Sequence, residues 1–384
     1  MEADQVTDED VIKPLIKWTG GKYREFPYFK SYIPEFNRYF EPFAGGAGVF
    51  FALKPPGESY LNDKSTDLIR FYRLIGNPSF ITELTQYADA WDDAGKLART
   101  VTSELNPVFL TFIETSQSPE KTIQQTVKKI DLQQFPALFN VDFILQSSAF
   151  QEKLNYSLFD KMKRIRAISK KEIRSFEPLE LHDHIETAVK SCLYLFMRGL
   201  LNDNNRGIIN FSKARAGANW FFVREFCYGS MFRYNRQGDF NIPYGGIAYN
   251  KKNFRAKIQH LSGNRVNTLF QNTTFYNLDF QDFINSTKPA KGDFLFLDPP
   301  YDSEFSEYDQ HIFDRNDQKR LQEALMQQSA RWMLVIKKTG FIQELYTKPG
   351  ITIKTFDKRY TYNVRGRNSR EAEHLVIMNY KPYK

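Results

Sequence analysis

Hydrophobic and polar positions follow three different patterns along the chain. From Lys13 to about Tyr72, short apolar runs separated by Gly, Pro and Asn predict strands that alternate with helices. Between about 76 and 197, apolar residues recur at helical spacing among charged ones, which predicts a long helical segment. The strand and helix alternation then resumes near residue 256. The pattern therefore predicts one α/β domain that is interrupted by a large insertion.

Two continuous apolar runs indicate where the sheet lies. Phe294–Leu297 and Trp332–Ile336 contain no polar residue, as expected for strands covered on both faces. The predicted boundaries are 1–75 and 256–384 for the two parts of the α/β domain, and 76–255 for the insertion. Near the end of the insertion, Asn235-Arg236-Gln237-Gly238 predicts the turn of a β-hairpin, in which Gly adopts the left-handed conformation.

Composition excludes several classes of protein. With 384 residues and 41% apolar residues, the chain is long enough to bury a core. The chain has no run of about 18 consecutive apolar residues, so no membrane span is predicted. The acidic start does not resemble a signal peptide, so we expect a cytoplasmic protein. Cys192 and Cys227 lack the neighbours of a zinc site. His182 and His184 flank Asp183 without further ligand spacing, so we expect a solvated loop there and no metal.

The basic residues are concentrated in one stretch. The net charge is +8, and residues 198–257 hold eleven basic and three acidic residues, an excess equal to that whole charge. Aromatic residues such as Trp220, Phe221 and Tyr234 are interleaved with them, which suits contact with phosphates and stacking on bases. The alternative is a solvated basic face without a nucleic-acid partner.

A glycine loop follows the first predicted strand. The run from Arg38 to Phe51 is typical of a strand, a turn with Gly45, Gly46 and Gly48, and then a helix. Glycines at such a turn let a ligand approach the backbone beside a helix N-terminus. Asp63 ends a second predicted strand, where an acid is well placed to bind ribose hydroxyls. The alternative is a plain glycine-rich turn and a surface acid.

A phosphate-binding P-loop is a competing interpretation for Thr19-Gly20-Gly21-Lys22-Tyr23. That motif requires a Gly five positions before the Gly of its Gly-Lys pair and Ser or Thr after the pair, whereas this chain has Ile16 and Tyr23 at those positions. The spacing therefore disfavours ATP hydrolysis.

The tetrapeptide Asp298-Pro299-Pro300-Tyr301 directly follows a predicted buried strand, where an open parallel sheet binds its ligands. Two prolines fix the backbone and leave its carbonyls without local donors. The Asp298 carboxylate and the Pro299 carbonyl are suited to accept hydrogen bonds from a planar amine such as that of adenine, and Tyr301 supplies a stacking face. The alternative is a rigid turn with an exposed aromatic residue.

Together these segments resemble the Dam-type, alpha-class adenine-specific DNA N6-methyltransferases. Lys17 to Lys22 is similar to the N-terminal cofactor motif of that family, and Glu41-Pro42-Phe43 with the following glycines to its methionine-binding loop. Asn62-Asp63 resembles its ribose-binding segment, Tyr228 to Gly245 its DNA-contacting hairpin, and Asp298 to Tyr301 its catalytic motif. The resemblance implies a Rossmann-like S-adenosylmethionine-dependent domain with a large, mainly helical inserted target-recognition domain that carries a β-hairpin.

The resemblance also implies roles for individual residues. Catalysis is expected at Asp298, Pro299, Pro300 and Tyr301. S-adenosylmethionine is expected to contact Trp18, Lys22, Glu41, Pro42, Phe43, Gly45, Gly46, Gly48, Asp63 and Asp298. Double-stranded DNA is expected to contact Tyr228, Met231, Arg233 and Asn235, with Arg233 a candidate for bidentate guanine recognition.

Three functions remain open at this point. The first is site-specific adenine methylation in duplex DNA by a monomer, either alone or beside an independently acting restriction endonuclease. The second is methylation of adenine in RNA, because the same tetrapeptide suits any flipped adenine. The third is an inactive DNA-binding regulator, against which the intact catalytic tetrapeptide speaks. The segment before the hairpin is longer than in minimal family members, so no target sequence is carried over.

Overall fold

The computed structural model describes residues 11–114, 120–144, 147–172, 176–231, 233–301, 307–308, 311–359 and 371–382. Its internal contacts divide the chain into two compact units. Unit 1 comprises Met1–Ile75 and Leu261–Lys384, and unit 2 comprises Gly76–His260. Unit 1 is therefore assembled from two parts of the chain that are far apart in sequence.

Unit 1 is built on a seven-stranded sheet. Its strands are β1 (Tyr39–Glu41), β2 (Ser59–Asn62), β3 (Thr273–Tyr276), β4 (Phe294–Leu297), β7 (Arg331–Lys337), β8 (Thr352–Arg359) and β9 (Glu371–Met378); β5 (Glu307–Tyr308) and β6 (His311–Ile312) form a separate antiparallel pair. The order across the sheet is β3-β2-β1-β4-β7-β9-β8. The first five are parallel, and β9 is antiparallel to both of its neighbours.

The two predicted buried strands are confirmed. Residues 294–297 form β4 and are fully buried, and Trp332–Ile336 lie inside β7 and are also buried. Their apolar side chains pack with Phe283, Leu321 and Tyr346 into a core on one face of the sheet. A continuous apolar sequence is required here because helices cover the parallel strands on both faces.

The helices of the described residues, in chain order, are α1 (Phe26–Phe29), α2 (Gly48–Leu53), α3 (Thr66–Leu74), α4 (Pro78–Glu114), α5 (Glu120–Lys129), α6 (Val141–Ile144), α7 (Ser147–Glu172), α8 (Pro178–Asn205), α9 (Lys213–Phe226), α10 (Phe254–Leu261), α11 (Asn264–Gln271), α12 (Phe280–Thr287), α13 (Arg315–Met326) and α14 (Gly340–Tyr346). None of these helices is both long enough and apolar enough to cross a membrane.

The parallel strands of unit 1 bring several loops to one edge of the sheet. The glycine loop follows β1, Asp63 follows β2, Asp279 follows β3 and Asp298 follows β4. Carboxyl ends of parallel strands share an edge, so these loops line one crevice.

Unit 2 is mainly helical, in agreement with the apolar periodicity of 76–197. The long helices α4, α7 and α8 pack against one another, and α9 packs on α4 and α8. One expectation was wrong. His182 and His184 lie inside α8 rather than in a loop, and His182 Nδ1 is 3.0 Å from the Thr102 hydroxyl of α4. Among the described residues no group of three or more His, Cys, Asp or Glu side chains is arranged to bind a metal.

The segment after α9 contains short antiparallel contacts instead of regular strands in its described residues. Single bridges join Cys227 to Tyr244 and Tyr234 to Phe240. The intervening turn is closed by a hydrogen bond from the Gly238 amide to the Asn235 carbonyl at 3.0 Å, and Gly238 has φ +83°. Glycine is suited to this position because an L side chain rarely adopts that conformation.

Candidate active site

A pocket of unit 1 lies at the carboxyl edge of the sheet. It is lined by all the residues that were predicted to contact cofactor or to act in catalysis: Trp18, Lys22, Glu41, Pro42, Phe43, Gly45, Gly46, Gly48, Asp63, Asp298, Pro299, Pro300 and Tyr301. These residues come from four separate segments of sequence. The structure therefore brings both predicted sets into one site.

The glycines of the loop permit close packing within the chain itself. A Cβ atom added at Gly45 would be 2.8 Å from Trp18 Cδ1, and one at Gly46 would be 2.9 Å from Trp18 Cβ. At Gly48 it would be 2.8 Å from the Tyr23 backbone nitrogen. The sequence suggested that these glycines make room for a ligand, whereas the space beside each Cα is filled by the segment that contains Trp18 and Tyr23.

Asp63 is held in place by the backbone around it. Its Oδ2 accepts a hydrogen bond from the Gly45 amide at 2.8 Å, and its Oδ1 accepts one from the Ser65 amide at 2.9 Å. The Tyr72 hydroxyl donates to the Gly45 carbonyl at 2.7 Å. These bonds join the end of β2 to the glycine loop and fix the carboxylate at the pocket wall.

Glu41 is a buried acid at the end of β1. Only 2% of its surface is exposed, and its Oε2 accepts a hydrogen bond from the Tyr39 hydroxyl at 3.0 Å. Burial raises the pKa of Glu41 well above its usual value, the hydrogen bond from Tyr39 opposes this shift, and the negative charges of Asp298 and Asp63 add to it. The pocket therefore favours the protonated form of this carboxyl group.

Asp298 and Tyr301 are linked through Lys22. The Lys22 ammonium is buried, and it donates to Asp298 Oδ1 in a close ion pair. It also donates to the Gly20 carbonyl at 2.9 Å and to the Tyr301 hydroxyl at 3.3 Å. A cation inside the pocket thus fixes the acid and the aromatic ring of the tetrapeptide.

The sequence predicted proline carbonyls without local donors, and the Pro300 carbonyl is bonded from outside the tetrapeptide. The Gln318 side-chain amide of α13 donates to the Pro300 carbonyl at 2.9 Å, so that carbonyl does have a donor from the chain. The bond comes from a helix distant in sequence, which is why local sequence did not reveal it. Pro299 lines the pocket beside Asp298.

The sequence interpretation missed an aromatic and charged wall of the same pocket. The Phe43 ring is 5.5 Å from that of Phe280 and 5.6 Å from that of Phe313. Arg320 lies 4.9 Å from the Phe280 ring and forms an ion pair with Asp279 at 2.8 Å. Leu278-Asp279-Phe280 lies just after β3, separated from it by Asn277, so the position of these residues after a strand was a usable signal.

The predicted DNA-contacting residues lie in unit 2. Tyr228 and Met231 are 45% and 38% exposed, so both large side chains reach the surface. Arg233 is exposed, and its Nε donates to Asn241 Oδ1 at 3.1 Å. Asn235 has an internal role, because its Oδ1 accepts from the Gln237 and Asp239 amides and shapes the turn.

A buried arginine supports the turn that exposes Tyr228 and Met231. Gly229 and Ser230 both have positive φ, 64° and 53°, and such a turn persists only where other contacts hold it. Arg224 is 2% exposed and donates to the carbonyls of Ser230 at 2.8 Å and Met231 at 3.0 Å. Arg224 therefore acts as a support and is not presented at the surface.

Much of the basic stretch is used inside unit 2. Six of its eleven basic residues bond to backbone carbonyls or carboxylates of the unit: Arg198, Arg206, Arg215, Arg224, Lys252 and Arg255. The local excess of basic residues in the sequence consequently overestimates the number of cations available to contact phosphates. Arg233 and Arg236 are exposed in the turn region.

The fold and the site together define a class. A mostly parallel seven-stranded sheet, with a glycine loop after β1 and acids after β2 and β4, fits the fold of Rossmann-like methyltransferases. The family model for D12 class N6 adenine-specific DNA methyltransferases matches residues 18–99 and 148–362, more than half of the chain. The chain belongs to this family and is an adenine-specific DNA methyltransferase, as its resemblance to Dam-type enzymes predicted.

Several known proteins are similar along most of the chain. The type II methyltransferase M.CviBI of Paramecium bursaria Chlorella virus NC1A is 27% identical over 96% of this chain and 100% of its own length. The type II methyltransferase M1.LlaDCHI of Lactococcus lactis subsp. cremoris is 21% identical over 96% of each chain. The DNA N-6-adenine-methyltransferase of Escherichia phage P1 is 22% identical over 97% of this chain and 37% of its own.

Proposed function

We propose that the pocket of unit 1 binds S-adenosylmethionine and that Asp298 to Tyr301 receive an adenine swung out of the DNA duplex. The observation that carries the proposal is the convergence of Glu41, Asp63 and Asp298, from the ends of three parallel strands, on one pocket. Adenine N6 lies inside the duplex, so an enzyme that modifies it must extrude the base.

The wall of the pocket matches the chemistry of this cofactor. Asp63 offers carboxylate oxygens to ribose hydroxyls, and the rings of Phe43, Phe280 and Phe313 offer faces to a purine. Gly20 lines the pocket with φ +83°, and no atom lies within 4 Å of the place a Cβ would take. When bound, the sulfonium of the cofactor supplies an electrophilic methyl group.

The residues of the tetrapeptide act on the acceptor amine. The Asp298 carboxylate accepts a hydrogen bond from that amine and stabilises the positive charge that develops on its nitrogen. Lys22 orients this carboxylate through its bond to Oδ1. Tyr301 stacks on the base, and the Pro299 carbonyl accepts the second amine hydrogen. Alignment supplies most of the acceleration, because the methyl donor is intrinsically reactive.

We also propose that unit 2 contacts the DNA target. Exposed Tyr228 and Met231 are suited to enter the base stack, and Arg233 to donate two hydrogen bonds to a guanine. The names of the type II relatives support a role beside a cognate restriction endonuclease that acts independently. Expression of the gene is then expected to make one short sequence in cellular DNA resistant to cleavage.

One assay tests the site. Protein and methyl-labelled cofactor are incubated with duplex DNA or with RNA, and the modified positions are mapped by sequencing. Asp298→Ala is expected to abolish transfer while cofactor binding, measured by calorimetry, persists at least in part. Asp282→Ala, an exposed acid on α12 outside the pocket, is the matched control and is expected to retain activity. Full turnover by Asp298→Ala would contradict the proposed role of Asp298, and label in RNA alone would contradict the proposed DNA substrate.

A further inference from the structure

A buried histidine contacts the hydroxyl of Tyr301. His374 lies on β9 with no exposed surface, and its Nε2 is 3.1 Å from the Tyr301 oxygen. The two rings meet edge to face, with centroids 5.9 Å apart and planes at 68°. We propose that His374 is a positioning residue that fixes the Tyr301 ring for stacking on the target adenine. This inference rests on the proposed role of Tyr301.

The hydrogen-bond donors assign a direction to the contact. The Lys22 ammonium has three hydrogens, and its three acceptors are the Gly20 carbonyl, Asp298 Oδ1 and the Tyr301 oxygen. The Tyr301 oxygen thus accepts from Lys22 and has one hydrogen of its own to donate. We therefore assign the Tyr301 hydroxyl as the donor and His374 Nε2 as the acceptor, the tautomer with the imidazole proton on Nδ1, as part of this proposal.

The surroundings of His374 hold its ring rigidly. Strand β9 lies between β7 and β8, so the residue sits within the sheet and not at an edge. The Phe356 ring of β8 stacks on the His374 ring at 5.5 Å with planes 28° apart. A loop residue such as Tyr301 gains orientation from a partner on a rigid strand, and small errors of orientation lower rates considerably.

The arrangement links the two functional side chains of the tetrapeptide. Asp298 is fixed by Lys22, Lys22 also contacts Tyr301, and Tyr301 is fixed by His374. The acid that contacts the amine and the ring that contacts the base therefore share one chain of hydrogen bonds. Loss of His374 is expected to loosen the ring while Lys22 still holds the acid.

The experiment compares His374→Phe, His374→Gln and Tyr301→Phe under single turnover with saturating DNA and cofactor. His374→Phe keeps a ring but removes the acceptor, and a threefold to tenfold lower rate is expected, about the value of one neutral hydrogen bond. The KM for cofactor is expected to change less than twofold. His374→Gln, whose carbonyl oxygen lies near the Nε2 position, is expected to recover most of the rate.

Three further measurements separate positioning from general stability. The double variant of His374→Phe and Tyr301→Phe is expected to be no slower than the slower single variant, because both remove the same bond. 2-Aminopurine at the target position reports stacking on Tyr301, and His374→Phe is expected to increase its fluorescence. Val376→Ala, a buried neighbour on β9, is expected to lower the melting temperature without changing the rate.

The proposal is overturned if the rate of methyl transfer by His374→Phe or Tyr301→Phe is within twofold of that of the unmodified protein. It is overturned equally if the rate losses of the two single variants multiply in the double variant. It is also overturned if two-bond ¹H–¹⁵N spectra place the imidazole proton on Nε2. If His374→Phe fails to fold, Tyr301→Phe and His374→Gln still decide the outcome. Activity in Asp298→Ala would instead contradict the proposed site, so the two failures are distinguishable.

Discussion

The guanidinium of Arg255 lies between the carboxylates of Asp89 and Asp92, with Nη2 2.5 Å from the first and Nε 2.6 Å from the second. Both acids belong to α4, more than 160 residues earlier in the sequence. A count of charges along residues 198–257 therefore includes Arg255 as a cation available to bind DNA, although two acids of unit 2 already neutralise it. Basic residues in this stretch should differ widely in their effect on DNA binding.

Arg233 and Arg255 test this difference. Arg233→Ala is expected to cost about 1–3 kcal/mol of DNA binding and to relax the choice at one base pair, measured by competition among variant duplexes. Arg255→Ala is the control, and it should leave both the sequence preference and the salt dependence of binding unchanged. Equal weakening on every duplex by Arg233→Ala would indicate a phosphate contact instead.

Lys22 should affect chemistry more than the fold. Lys22→Met keeps the length of the buried side chain but leaves Asp298 without its cation. A charge-assisted hydrogen bond is lost, so the rate of methyl transfer is expected to fall about tenfold to a hundredfold. Lys30→Met, at an exposed position, is the control. An unchanged single-turnover rate would show that the ion pair with Lys22 does not orient Asp298 for the reaction.

The packing of the glycine loop predicts a steric effect at Gly46. A Cβ there would meet Trp18 Cβ at 2.9 Å and the Ile16 carbonyl at 3.2 Å. Gly46→Ala is expected to lower the free energy of unfolding by about 1–3 kcal/mol and to weaken cofactor binding, because Trp18 must move. Gly340→Ala is the matched control, since no atom lies within 4 Å of that Cβ position. Wild-type melting and affinity in Gly46→Ala would contradict the close packing.

Glu41 predicts a dependence of stability on pH. Burial raises its pKa in the folded protein above the usual 4.5, so the folded state favours the protonated carboxyl. This contribution to stability is fully present below pH 4.5 and is lost as pH rises toward the folded pKa, at most about 1.4 kcal/mol per pH unit.

Glu41→Gln mimics the protonated carboxyl group, so the variant does not lose stability at this position as pH rises. The free energy of unfolding of the variant, relative to the unmodified protein, is therefore expected to increase with pH above 4.5. Denaturant titrations at several pH values measure this difference. Glu344→Gln, exposed on α14, should show no such trend. A difference that stays flat with pH would mean that Glu41 is ionised in the fold.

Sequence patterns predicted the elements of unit 1 well because local composition controls them. Phe294–Leu297 has no polar side chain, so a strand covered on both faces is the arrangement that suits it. The placement of β9 between β7 and β8 was not predictable in this way. Strand order depends on packing between distant segments, and the apolar pattern of one strand does not specify its neighbours.

The same limit applies to the site. Asp63 and Asp298 were identifiable because each follows a predicted strand, and ligands of an open parallel sheet bind beyond the carboxyl ends of its strands. Contacts such as those of Gln318 with Pro300 and His374 with Tyr301 join segments that no spacing rule connects. Histidine inside a strand is usually interpreted as a core residue, and its partner appears only when the chain is folded.

The division of unit 1 into two separated parts affects the order in which it is completed on the ribosome. Strands β1 and β2 are synthesised before unit 2, but β3 and β4, their partners at either side, follow it. Until those partners emerge, both strands have unpaired edges, which are sites for aggregation. Unit 2 is continuous in sequence, so the whole of it is synthesised before β3 and β4. Substitutions that unfold unit 2 should therefore reduce the yield of native enzyme during synthesis.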